Sequence, residues 1–223
     1  MITDPKAVIA DPKAFIIANT RLLPVPHAPE ICLYLADEVT PLWLKTEEEL
    51  GEMGLPPPFW AFAWAGGQAL ARYILDHPNS VVGKRVLDFA SGSGLVAIAA
   101  MKAGASEAHA ADIDGFAQEA IGLNAAVNAV EVAPVAENVL GRFDMAADVI
   151  LAGDIFYDRD IAVEVLAWLK GWRKHGATIL IGDPGRTYLP KGELVQLATY
   201  EVPVSRDLED LEIKKSSVWA LKD

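Results

Sequence analysis

From Arg85 onward, apolar runs of strand length alternate with segments whose apolar positions recur every three to four residues. RVLDF (85–89), the run ending at Asp112, VAPVAE (132–137), ADVILAGD (147–154) and ATILIGD (177–183) carry the first pattern and predict strands. GGQALARYILD (66–76), LVAIAAMKAG (95–104), FAQEAIGLNAAVNA (116–129) and IAVEVLAWLKGWRK (161–174) carry the second and predict helices, with Gly104 placed as a C-cap. The run from Val149 to Gly153 is uninterrupted by charge, as a strand buried on both faces requires. A short helix is predicted near KGELVQLA (191–198), then two late strands, TYEVPV (199–204) and SSVWALK (216–222). Strand and helix in this alternation build a mostly parallel sheet from βαβ units, flanked by helices and closed by a hairpin-like pair, seven strands in all.

Ahead of this region the pattern changes. Pro56, Pro57 and Pro58 break regular structure and divide a small N-terminal extension (1–55) from the main domain (56–223). In the extension, FIIANTRLLPV (15–25), PEICLYLAD (29–37) and LWLK (42–45) predict strands or extended pieces, and Glu47, Glu48 and Glu49 a solvated helix face.

Composition narrows the setting. With 223 residues and 52% apolar content the chain can fill the core of one domain. No apolar run of about 18 residues escapes interruption by charge, so no membrane span is expected. The first residues resemble neither a signal nor a transit peptide, and Cys32 is the only cysteine, which together suggest a cytoplasmic protein. It is expected to be a monomer without a metal. A net charge of -12 argues against a nucleic-acid partner and suits a basic target, whether a protein surface or a cationic small molecule.

The chemistry concentrates in loops after strands. Gly92-Ser93-Gly94 lies between a strand and a helix, where glycines let a ligand approach the backbone and the helix N-terminus offers free N–H groups. The same segment, GSGLVA, satisfies the dinucleotide pattern G-x-G-x-x-A. Asp88, four residues before Gly92, separates the two readings. A carboxylate there would repel a pyrophosphate but attract the cationic methionine part of S-adenosylmethionine. Asp112, 18 residues past Gly94, is placed to accept both ribose hydroxyls, which either cofactor would present. Asp114 reads as a helix cap. Glu137 and Asn138, after the third strand, are placed to meet an adenine edge.

A second group follows strand four, in GDIFYD (153–158). Asp154 would orient an acceptor amine, and Phe156 and Tyr157 would shape an apolar channel with cation–π capacity. Enzymes that methylate amino groups of nucleic acids carry two prolines where this chain has Ile155 and Phe156, which argues against that activity. Upstream, Trp60 and Trp64 are expected to fold over the methionine end of the cofactor. The turn Asp183-Pro184-Gly185 explains itself by turn chemistry, but Arg186 after it does not. The four histidines show no metal spacing.

Taken in order, PFWAFAWAGGQALARYILD, VLDFASGSG, ADID, GDIFYD and IGDPGR resemble the electron transfer flavoprotein β-subunit lysine methyltransferase family, over roughly residues 57–219. The resemblance implies a Rossmann-like class I methyltransferase fold that uses S-adenosylmethionine to methylate a lysine of that flavoprotein subunit. It implies that Asp88, Gly92 and Gly94, with Ala90 and Ser91 of the same loop, hold the methionine part. Asp112, followed by Ile113, would hold the ribose, and Asp154 with Tyr157 the lysine. Ala90 departs from the glycine common in that family. A ribosomal protein substrate, a small-molecule N-methyltransferase acting on an amine or a nicotinamide-like compound, and a non-catalytic adenosine-binding module remain as competing readings.

Overall fold

A computed structural model of the chain describes residues 11–37, 57–204 and 213–222. In chain order its principal elements are α1 (Pro12–Asn19), β1 (Arg21–Val25), β2 (Ala28–Leu35), α2 (Ala65–Asp76), β3 (Arg85–Phe89), α3 (Leu95–Lys102) and β4 (Glu107–Ala111). There follow α4 (Gly115–Val127), β5 (Ala133–Val135), β6 (Val149–Gly153), α5 (Arg159–Lys174), β7 (Thr178–Asp183), β8 (Leu194–Pro203) and β9 (Ile213–Leu221). The expected segment LWLK and the Glu47–Glu49 run lie outside the described residues.

Two expectations change. FIIAN is helical, not extended. Asp11 caps α1 by accepting from the Ala14 N–H and Pro12 opens its first turn, which outweighs the apolar run that suggested a strand. The helix near KGELVQLA shrinks to one 3₁₀ turn, Lys191–Glu193. LVQLA instead begins β8, held in an antiparallel ladder from Leu194 opposite Leu221 to Pro203 opposite Ile213. A partner strand distant in sequence decided its state.

The seven-stranded sheet has the order β5-β4-β3-β6-β7-β9-β8. Strands β5, β4, β3, β6 and β7 are parallel, and β9 joins β7 and β8 antiparallel. The chain leaves β3 toward β4 and β5 on one side and returns through β6 and β7 on the other, so a crevice opens at the carboxyl ends of β3 and β6.

Helices cover both faces. Ile98, Leu70 and Ile74 of α2 and α3 share one core with Ile31 and Leu33 of the β1–β2 hairpin. On the other face, Val165, Trp168, Leu169 and Trp172 of α5 pack against Ile150 and Ile179. The start of α2 sits directly on the sheet: side-chain carbons added at Gly66 or Gly182 would each overlap the other's carbonyl oxygen. Among the described residues, no helix is long and apolar enough to cross a membrane.

Candidate active site at the carboxyl edge of the sheet

A cavity of about 1010 Å³ occupies the crevice. Asp88, at the end of β3, is 1% exposed. Its Oδ2 accepts from the Ser91 hydroxyl and, at 3.1 Å, from the Ala97 N–H in the first turn of α3. A dinucleotide enzyme would offer such a helix N-terminal amide to its pyrophosphate; here a buried carboxylate already holds it. Burial pushes the Asp88 carboxyl up to about 7, against the pull of those two hydrogen bonds.

Asp112, just past β4, accepts the Gly92 N–H on Oδ2 (2.8 Å) and the Asp114 N–H on Oδ1 (3.0 Å). One N–H on each oxygen fixes the carboxylate and leaves acceptor capacity on both for a vicinal diol. Asp114 caps α4 through the Phe116 N–H. Ile113 is 76% exposed at the cavity wall, and Val139 and Leu140 add apolar surface beside Glu137 and Asn138. Asn138 Oδ1 is engaged by the Leu140 N–H at 3.0 Å, which leaves its amide hydrogens for a ligand.

Ala90 and Gly92 have positive φ, +51° and +54°. The turn presses close to the preceding segment: a side-chain carbon at Gly92 would lie 3.7 Å from Trp60 Cα. Trp60 is buried and stacks on Phe116, with centroids 6.0 Å apart. Trp64 is fixed by its indole N–H donating to the Phe59 carbonyl at 2.9 Å. Both tryptophans line the cavity.

At the other end, Asp154 is 8% exposed and has a φ of +56°. Its Oδ2 accepts the Gly66 and Gly67 N–H groups at the start of α2. Its Oδ1 accepts two N–H groups of Arg186, at 3.1 and 2.9 Å. Four donors hold this strained residue and join α2, β6 and the loop after β7 at one carboxylate. Desolvation raises its carboxyl above the usual range, and Arg186 opposes that shift. Arg186 in turn lies over Trp64, 5.9 Å from the ring centroid. Asp183 Oδ1 accepts the backbone N–H groups of Gly185 and Arg186, while its Oδ2 is buried without a hydrogen-bond partner.

Of the residues expected to form the site, the structure brings Asp88, Ala90, Ser91, Gly92, Asp112, Ile113, Glu137, Asn138, Asp154 and Tyr157 together on the cavity wall. Two residues require correction. Phe156 is 0% exposed and packs in the core under α5, while Tyr157, next to it in the irregular segment after β6, is 58% exposed and lines the cleft. Gly94, with φ +81°, is absent from the wall; a side-chain carbon there would meet Ile121 at 3.4 Å, so it serves the packing of α3 against α4. Two participants had no assigned role. Phe59, 53% exposed, stands between Trp64 and Tyr157 at centroid distances of 6.0 and 6.3 Å. Arg186 was marked only by being unexplained as part of a turn.

Known proteins resemble this chain in sequence and fold. The electron transfer flavoprotein β-subunit lysine methyltransferase of Xenopus laevis is 39% identical over 217 residues, spanning 95% of this chain and 87% of the relative. The human protein of that name is 37% identical over 218 residues, 94% and 82% of the two chains. The chain belongs to the electron transfer flavoprotein β-subunit lysine methyltransferase family. A family model for ribosomal protein L11 methyltransferase (PrmA) also matches residues 69–170. A ribosomal protein L11 methylase from Lactobacillus delbrueckii subsp. bulgaricus superposes with a TM-score of 0.51 at 22% identity, covering 73% of this chain and 81% of that one, which supports the fold.

As a member of this lysine methyltransferase family, the chain is an S-adenosylmethionine-dependent methyltransferase. The residues fit that cofactor. Asp88 would present a buried acid to its cationic amino group, Asp112 two oxygens to its ribose, and Ile113 with Leu140 apolar surface to its adenine. Bound there, S-adenosylmethionine supplies an electrophilic methyl group on a sulfonium.

Proposed function

We propose that this enzyme methylates a lysine of the electron transfer flavoprotein β subunit, acting as a monomer in the cytoplasm. The observation that carries the reading is the extent of the similarity: relatives bearing that name match 93–97% of the chain. The lone Cys32 supports a reducing compartment. The match to the ribosomal protein L11 model supports a second reading, but it begins after Gly67 and ends before Asp183. It covers Asp154 and Tyr157 but omits Phe59, Trp64 and Arg186, and so speaks for only part of the acceptor end.

The acceptor end suits an amine on an extended apolar stem. Phe59, Trp64 and Tyr157 surround a path to the cavity interior, and their ring faces accommodate methylene groups and a nitrogen. Asp154, with both oxygens already occupied, holds these walls in register rather than taking the proton. The amine must arrive neutral, although free lysine titrates near about 10.4.

The test is transfer of radiolabelled methyl groups from S-adenosylmethionine to purified electron transfer flavoprotein and, in parallel, to purified ribosomal protein L11, followed by mass spectrometry. Label on a lysine of the flavoprotein β subunit is expected. Label confined to L11, or appearing only on added free amines, overturns the proposal.

A further inference from the structure

Arg186 is a cation built into the end of the cavity where a cation would otherwise bind. Its guanidinium lies over Trp64, whose face is one of the aromatic surfaces at the acceptor end. It neutralises Asp154, the buried acid nearest that end, through two N–H groups on one oxygen. Its backbone is pinned by Asp183, so it is not a loosely held surface side chain. An open Asp154 beside unoccupied aromatic rings would make a good ammonium site. With Arg186 in place both the acid and one ring are already engaged.

We infer that Arg186 is a positioning residue that keeps the acceptor amine neutral, by neutralising the carboxylate of Asp154 beside it. This rests on the reading that the acceptor is an amine. A bare carboxylate beside an amine favours the ammonium, and a carboxylate paired with a guanidinium loses that pull. The proton leaves to solvent before methyl transfer, so the reacting nitrogen keeps its lone pair. Among the described residues, the other charged and titratable groups around the cavity are Asp183 after β7, Tyr157 and Asp158 after β6, Glu164 on α5, Asp88 and Asp112 after β3 and β4, and, farther along the cofactor half, Asp114 and Glu137. All but Tyr157 are acids, and Arg186 is the basic residue on the cavity wall among the described residues.

The test compares Arg186→Gln, Arg186→Lys and Asp154→Asn with the parent protein in two assays. The first is the pH dependence of kcat/KM for methylation of the electron transfer flavoprotein β subunit. The acidic limb should move upward by about one pH unit or more in Arg186→Gln, stay near its place in Arg186→Lys, and move downward in Asp154→Asn. The second uses sinefungin, an analogue of S-adenosylmethionine that carries an amine where the donor carries its methyl, against S-adenosylhomocysteine by calorimetry at pH 7. Arg186→Gln should shift the preference toward the amine analogue by about tenfold, equivalent to one unit of amine titration, and Asp154→Asn should shift it the other way. S-adenosylhomocysteine binding within a few-fold of the parent shows that a variant is folded. A uniform loss of rate at every pH with unchanged analogue preference overturns the inference. If the parent fails to methylate the flavoprotein at any pH, the substrate reading falls, and the analogue preference still decides the role of Arg186.

Discussion

The two halves of the cavity are assembled differently. The two acids of the cofactor half, Asp88 and Asp112, lie in one contiguous βαβ stretch and accept hydrogen bonds from groups of that stretch and the turn just after it. The acceptor half joins the start of α2, the end of β6 and the loop after β7, and those three pieces meet at Asp154. A local site can lose a side chain and keep its frame. A site knotted at one buried carboxylate cannot, because removal of Asp154 leaves two amide groups and a guanidinium without their acceptor.

Paired alanine variants would break this comparison most sharply. Asp154→Ala should lower unfolding free energy by about 3–5 kcal/mol in denaturant titrations and abolish methyl transfer, as expected for deleting one member of a buried ion pair. Asp112→Ala should weaken S-adenosylmethionine binding by about 2–5 kcal/mol, the worth of two hydrogen bonds to a charged acceptor, with a smaller change in unfolding. If Asp112→Ala proved the more destabilising and Asp154→Ala the weaker cofactor binder, the contrast between the halves would be wrong.

The same difference explains what the sequence made legible. The parallel strands and their helices followed from periodicity, and Asp88, Asp112 and Asp114 from their distances to the glycine loop, because all of that information is local. The N-terminal helix hid behind the apolar run FIIAN, whose state is set by the Asp11 cap and Pro12. The β8 strand was hidden because β9 dictates it. Gly66 and Gly67 showed themselves as a helix start, but their bonding to Asp154, 88 and 87 positions away, did not. Phe156 and Tyr157 are neighbours of similar chemistry in the irregular segment after β6, one buried in the core and one exposed at the cleft, and the pattern of GDIFYD alone did not say which was which.

Asp88 sharpens the comparison from the cofactor side. Its carboxyl, pushed up to about 7 in the unliganded protein, is largely protonated below that pH. Binding the cationic amino group requires the carboxylate, so S-adenosylmethionine affinity should rise with pH, by at most about tenfold per unit, and level off above about 7. Calorimetry across pH 5 to 8 would show the slope, and Asp88→Asn should bind weakly with the slope gone. The linkage to folding has the opposite sign for the empty protein. A raised carboxyl favours the folded state when protonated, so stability should fall as pH rises from the ordinary carboxylate range through about 7, with Asp183, pushed up to about 6, adding the same trend. Asp88→Asn should flatten part of that decline, and a slope unchanged in the variant would remove Asp88 from the account.

The smallest expected effect lies at the mouth of the acceptor half. Tyr157 is 58% exposed, and its ring sits 6.3 Å from that of Phe59, so little of the fold depends on it. Burial together with Asp158 and Asp112 raises its hydroxyl above the ordinary value, so the phenol stays protonated near neutral pH and contributes its ring and a neutral O–H. An aromatic face on a partly exposed nitrogen is worth about 0.5–1 kcal/mol, which corresponds to a two- to fivefold change. Tyr157→Ala should therefore raise KM for the protein substrate by about that factor while S-adenosylmethionine affinity and unfolding free energy stay near those of the parent. Tyr157→Phe should restore most of the loss if the ring carries the effect. If Tyr157→Phe were as impaired as Tyr157→Ala, the hydroxyl would be the working group, and the aromatic description of the acceptor mouth would need to give way to a hydrogen-bonding one.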